Sequence, residues 1–165
     1  MTHSRVDELL QSYHSMEDRC RELRVEIAFL EESLRVNERS MVSDQVSMSQ
    51  AITGMPHGSS VGDPVGRLAL NIAMGKVSVF VRQIQEELQD AYAEQSHLKE
   101  LISQVDSWLD ALSEPERTLV RMKAVNQESW RDIVRYFRKQ FDGSYSKHSM
   151  QRIFIRAMDI IYEMA

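Results

Sequence analysis

Apolar residues recur along the start of the chain at alternating steps of three and four: Val6, Leu9, Tyr13, Met16, Cys20, Leu23, Ile27, Leu30 and Leu34. That spacing is the seam of a coiled coil, in which one stripe of each helix faces a partner. After a Gly-, Ser- and Pro-containing stretch from about Ser40 to Gly66, expected to be a flexible loop, the pattern resumes. Leu70, Met74, Val77, Val81, Ile84, Leu88, Ala91, Gln95, Leu98, Ile102, Val105, Leu109 and Leu112 keep one heptad frame with a single polar interruption and no proline. A helix over 70–112 would be about 65 Å long. A strict seven-residue repeat held that long calls for a partner helix, since a lone helix with an exposed apolar seam pairs or aggregates. The partner is the first helix folded back as a hairpin, a second subunit, or both. Gln95 is either a register-setting polar residue in the core or an ill-fitted one at a solvent edge.

The last third, residues 113–165, carries a different pattern of three short helices. Ser113-Glu114-Pro115-Glu116 opens the first, its serine and the glutamate three residues on forming a capping box. Ser129, with Asp132 at the third helical position, opens the second. Ala124-Val125-Asn126-Gln127-Glu128 between them is short enough only for a tight bend. Leu112, Leu119, Val120 and Met122, then Trp130, Ile133, Val134 and Phe137, fall at helical spacings and predict one small core. The third helix begins at Ser146-Lys147-His148-Ser149 and adds Met150, Ile153, Phe154, Ala157, Met158 and Ile161 as its buried stripe. Its opposite face is left to Lys147, His148, Gln151, Arg152 and Ile155. Those residues occupy the N-terminal half, the part that reaches base edges when such a helix lies in the major groove. Arg and Lys match guanine O6 and N7, and Gln matches adenine N6 and N7. The expected architecture is therefore all-α: a coiled-coil helical hairpin over 1–112, with its loop at about 40–66, followed by a three-helix helix-turn-helix domain over 113–165.

The run Leu112 to Arg117 with Leu119-Val120, then Ser129-Trp130-Arg131-Asp132-Ile133, then Ser146-Lys147-His148-Ser149-Met150-Gln151-Arg152 and Arg156-Ala157-Met158, resembles region 4 of the sigma-70 family. It is most similar to the small sigma-like regulators of bacteriophages and prophages, the RinA and ArpU type. The segment Gly54 to Pro64 is similar to a Gly/Pro stretch in prophage proteins of this kind. The resemblance implies sequence-specific binding to double-stranded DNA, regulation of phage or prophage transcription, and RNA polymerase as a further partner. It carries base contact to Lys147, His148, Gln151 and Arg152, and phosphate contact to Ser129, Arg131, Arg135 and Arg156. In that family the second helix turns into the third in about four residues. Here Arg138 to Tyr145 is longer, and its extra residues are expected to form a loop or an additional helical turn. The small terminase subunit of a phage packaging motor, which also joins such a head to an oligomerising coiled coil, is a second reading. A third is an interaction adaptor with no DNA role, held to its partner through the seam.

Charge refines this picture. The chain has a formal net charge of -5, which alone would not suggest nucleic acid. Residues 113–165, however, hold ten Lys and Arg against seven Asp and Glu, and residues 1–112 hold ten against eighteen. A positive head can neutralise phosphates while an acidic rod self-associates into a homodimer or higher oligomer through Leu23, Ile27, Leu30, Val81, Ile84, Leu88, Gln95, Leu98 and Ile102. The single Cys20 forms no internal disulfide and is expected to pack as a small hydrophobe. His3, His14, His57, His97 and His148 have no metal-ligand spacing, and no phosphate-cradling glycine loop or nucleophile motif occurs. No enzyme activity, cofactor, metal or small-molecule ligand is expected. No apolar run approaches a membrane span and the first residues lack a signal-peptide core, so the expected location is the cytoplasm, which the resemblance implies is that of a bacterial host.

Overall fold

The structure, a computed structural model, describes residues 2–52, 64–141 and 143–165, with side chains at 2–37, 79–141 and 143–165. The fold is all-helical, with no strand among the described residues. Helix α1 spans His3–Ile52, α2 Pro64–Asp110, α3 Glu114–Val120, α4 Trp130–Gln140 and α5 Lys147–Met164. None of these is long and apolar enough to cross a membrane.

Both ends of the expected loop are helical. α1 continues through Ser40 to Ile52, and α2 starts at Pro64 rather than after Gly66. The reason lies in the residues. Between Ser40 and Ile52 there is neither Gly nor Pro, and serine alone is only a weak helix breaker. Pro64 takes the first helical position, where its missing N–H costs nothing. Residues 53–63 of the predicted loop, and the side chains of seam positions Leu70, Met74 and Val77, lie outside the described residues.

Two compact units divide the chain, Met1–Arg21 with Ser96–Ala165, and Glu22–Gln95. In the second, Leu23, Ile27 and Leu30 of α1 and Ile84 and Ala91 of α2 are buried, with Val81 and Leu88 half-buried. Gln95 is only 7% exposed, which excludes a place at the solvent edge, and no buried side-chain nitrogen or oxygen among the described residues lacks a partner. Tyr92 donates its hydroxyl to Glu31 at 2.6 Å.

The first unit has two apolar clusters where the sequence predicted one. Leu119, Met122, Ile133, Phe137 and Met150 form the smaller, drawn from α3 and the turn that follows it, α4 and α5. Val120 and Val125 turn the other way, with Ala157, Met158 and Ile161 of α5, into a larger cluster built on Val6, Leu9, Leu10, Met16, Val105, Trp108, Leu109 and Leu112. Leu98 and Ile102 are half-buried against it. Phe154 touches both clusters. The compact unit thus reaches past the 112/113 boundary drawn from the sequence, because α5 is longer than a three-helix core can cover and buries its C-terminal half against α1 and α2. Met164 is exposed at the helix end.

Two local departures set the geometry that follows. The helix begun by α3 does not stop at Lys123 but continues as a π-helical turn, Arg121–Val125, so Ala124 and Val125 belong to a helix and the bend shrinks to 126–129. Gln127 takes a left-handed φ of 56° there, and Glu128 N–H returns to the Met122 carbonyl at 2.9 Å. At the other junction α4 runs on to Gln140, which absorbs Arg138 and Lys139 into one more helical turn.

Candidate nucleic-acid interface

Each helix of the candidate surface is started by a serine. Ser113 N–H donates to Glu116 Oε2 at 3.2 Å and its hydroxyl donates to the same oxygen at 2.5 Å. Ser129 Oγ accepts the Asp132 N–H at 3.3 Å and donates to Asp132 Oδ2 at 2.6 Å. At α5, Ser146 Oγ accepts the Ser149 N–H at 3.1 Å while Ser149 Oγ accepts the Ser146 N–H at 2.9 Å, a capping box closed by a second serine instead of a glutamate.

Burial then fixes which face of α5 is offered. Met150 is fully buried in the smaller cluster and Ala157 and Ile161 in the larger, so the side chains diametrically opposite, His148, Arg152, Ile155 and Arg156, are exposed. Lys147 is exposed at the first turn and Gln151 half-buried at the flank nearer α4. On α4 the same logic applies. Ile133 and Phe137 point inward and Arg131, Arg135, Arg138 and Lys139 outward.

Aromatic contacts tie α4 to α5 and to the segment between them. Trp130 meets Phe154 edge-on at 5.8 Å, Phe141 stacks on Phe137 at 4.9 Å, and Tyr145 meets Phe137 edge-on at 5.5 Å. Arg138 Nε donates to the Tyr145 carbonyl at 3.0 Å, fastening the end of α4 to the segment that leads into α5. Lys123 Nζ sits 5.4 Å over the Trp130 ring and donates to the Glu128 carbonyl at 2.9 Å.

Two adjoining grooves result, with Trp130 in the wall of both. The larger, about 650 Å³, is lined by Trp130, Arg131, Val134, Arg135, Arg138, Lys139 and Lys147, an apolar floor under five cations. Asp132, one residue after Arg131 on α4, is engaged in the α4 cap and with Arg135 at 3.4 Å. Arg131, Lys139, Lys147, Arg152 and Arg156 make no ion pair among the described residues. The smaller groove, about 350 Å³, is lined by Trp130, His148, Gln151, Arg152, Phe154 and Ile155.

The sequence-predicted residues sort onto this surface unevenly. His148, Gln151 and Arg152 share the smaller groove, whereas Lys147, grouped with them from sequence, lines the larger one beside Arg131 and Arg135. Ser129 and Arg156 line neither, and the Ser129 hydroxyl is occupied by its own helix. Arg138, Lys139 and Trp130 were missed as site residues. Their signal was present: 131, 135, 138 and 139 follow the steps of one helical stripe, once α4 is extended through 140.

The support for this surface comes from the start of α1. Tyr162 Oη donates to Asp7 at 2.8 Å and its ring stacks on His3 at 4.1 Å. Tyr13 Oη donates to Asp106 at 2.8 Å, and His14 Nε2 lies 2.9 Å from Asn126 Oδ1 in the bend before α4. Partial burial and the bond to a carboxylate push each of the two phenols up to about 12. His14 is raised above its ordinary value by its bond to Asn126 and then by Glu17. Among the described residues no three His, Cys, Asp or Glu side chains converge as metal ligands. Cys20 is half-buried.

Compared with known proteins, the chain matches no protein-family model, no curated protein and no solved structure.

Proposed function

We propose that this protein is a sequence-specific duplex-DNA-binding regulator of transcription, acting through a helix-turn-helix formed by α4 and α5. α5 enters the major groove and presents His148, Gln151 and Arg152 to base edges. The α4 stripe of Arg131, Arg135, Arg138 and Lys139, joined by Lys147, follows the phosphates of one strand, and Arg156 on the far flank of α5 meets the other. The observation that carries this reading is the junction of the two grooves. A band of five cations adjoins hydrogen-bonding side chains on a helix that is capped at its start and packed along its length. Phosphate contacts position such a protein and base contacts specify its site, and the two grooves divide along that line.

The resemblance to sigma region 4 and to phage and prophage regulators gives the reading its context: a cytoplasmic protein of a bacterial host that acts on phage or prophage promoters and touches RNA polymerase. No enzymatic step is assigned to it. We also propose that α1 and α2 form the antiparallel hairpin of the sequence reading. The Tyr13–Asp106 bond in one unit and the Glu31–Tyr92 bond in the other support it. Val25 and Phe29, each 71% exposed and one turn apart, lie off the buried seam and give a second stripe for self-association.

Selection of bound fragments from a randomised duplex library tests the function. A short recovered motif supports it, and its symmetry reports how many heads bind together. A pool recovered without sequence enrichment contradicts it.

A further inference from the structure

The most exposed large apolar side chain of α3, α4 and α5 is Ile155, at 60%. It stands four residues after Gln151 and three after Arg152, so the three share one patch of the helix surface. With His148 they line the smaller groove over Trp130 and Phe154. The polar members of this patch match base edges, and isoleucine has no hydrogen bond to offer them. The major-groove edge of a base pair carries one apolar group, the 5-methyl of thymine, and apolar side chains recognise it by contact.

The next exposed residue along this face is Asp159, one turn beyond Ile155, and its carboxylate repels phosphate. The segment of α5 that can approach duplex DNA therefore ends with Ile155 and Arg156, and Ile155 is its last inward contact. The occupant is set by charge. The groove adjoining this patch holds five cations, which suits a polyanion.

Resting on the DNA-binding reading, we propose that Ile155 is a specificity-determining residue that packs on the 5-methyl group of a thymine, next to the base pair read by Gln151 or Arg152. The cognate site then contains a thymine whose methyl group, not only its pairing, is recognised.

The experiment uses the full-length protein and a duplex selected as described above. Each thymine is replaced in turn by deoxyuridine, which pairs identically and lacks only the methyl group, and binding is measured for the wild type and for Ile155→Ala. One position is expected to lose about three- to ten-fold in wild-type affinity, the scale of one buried methyl. Ile155→Ala is expected to bind the thymine and deoxyuridine duplexes equally at that position. Sequence-specific binding with no deoxyuridine-sensitive position, or with the same sensitivity in Ile155→Ala, overturns the inference and leaves the DNA-binding reading standing. Absence of retention on any duplex at low salt overturns both, and retention of a protein partner at this patch in place of DNA does the same.

Discussion

Tyr162 and Asp7 are joined by a 2.8 Å hydrogen bond across almost the whole chain, closing the last helix onto the first. The helix that bears Gln151 and Arg152 is thereby anchored at its far end by the opening turns of α1. Ala157, Met158 and Ile161 share one buried cluster with Val6, Leu9 and Leu10.

Removing that anchor should loosen α5. Tyr162→Phe is expected to cost about 1 kcal/mol, a lowering of Tm by about 2–4 °C. A fragment of residues 113–165 leaves the apolar half of α5 in water and should lack a cooperative transition. Thermal denaturation followed by circular dichroism checks both, and a fragment that melts cooperatively like the full chain would show that α5 needs no support from α1.

Stability and recognition should separate along α5. Met150→Ala opens a cavity in the smaller cluster and is expected to cost about 2–5 kcal/mol of stability. Arg152→Ala is expected to leave stability within about 0.5 kcal/mol and to weaken a cognate duplex by about 1–3 kcal/mol. Denaturant unfolding and fluorescence anisotropy on the same variants report the two quantities.

Lys139 suits a test of the proposed phosphate contacts, since it is exposed and makes no ion pair among the described residues. Lys139→Ala should weaken all duplexes alike, without altering the preferred motif, and reduce the salt slope of log K by about 1. A changed base preference instead would move Lys139 from the backbone to the bases.

His14 should make the bend before α4 sensitive to pH. The His14 pKa is raised in the folded state, chiefly by the bond to Asn126 and then by Glu17. Its stabilising contribution is therefore complete below the unfolded value of about 6.5 and is lost as pH rises through the folded value. Asn126→Ala is expected to lower the folded pKa and flatten that dependence. An NMR titration of the imidazole resonances measures it, with an unmoved pKa counting against the bond.

Much of this architecture was legible in the sequence because period and burial coincide. Leu23, Ile27, Leu30, Ile84 and Ala91 sit on the predicted seam, and the serine caps mark where α4 and α5 begin. Leu10 was not legible. It lies one residue off the seam, yet it is fully buried because the start of α1 packs against more than one neighbour. A single stripe describes a helix with one partner, and α1 has two there. The same limit explains Lys147. Sequence spacing placed it on α5 with His148, but at the first turn its side chain reaches the α4 groove. Arg138 and Lys139 were hidden by the turn-forming residues after them, which drew the end of α4 too early.

The most direct test of the account is equilibrium binding of the full-length protein to a selected duplex across a salt series. With the six proposed phosphate contacts, from the α4 stripe, Lys147 and Arg156, log K should fall with log salt at a slope of about -5 to -6, shallower by about 1 for Lys139→Ala. Binding that does not respond to salt, or no binding to any duplex at low salt, would contradict it.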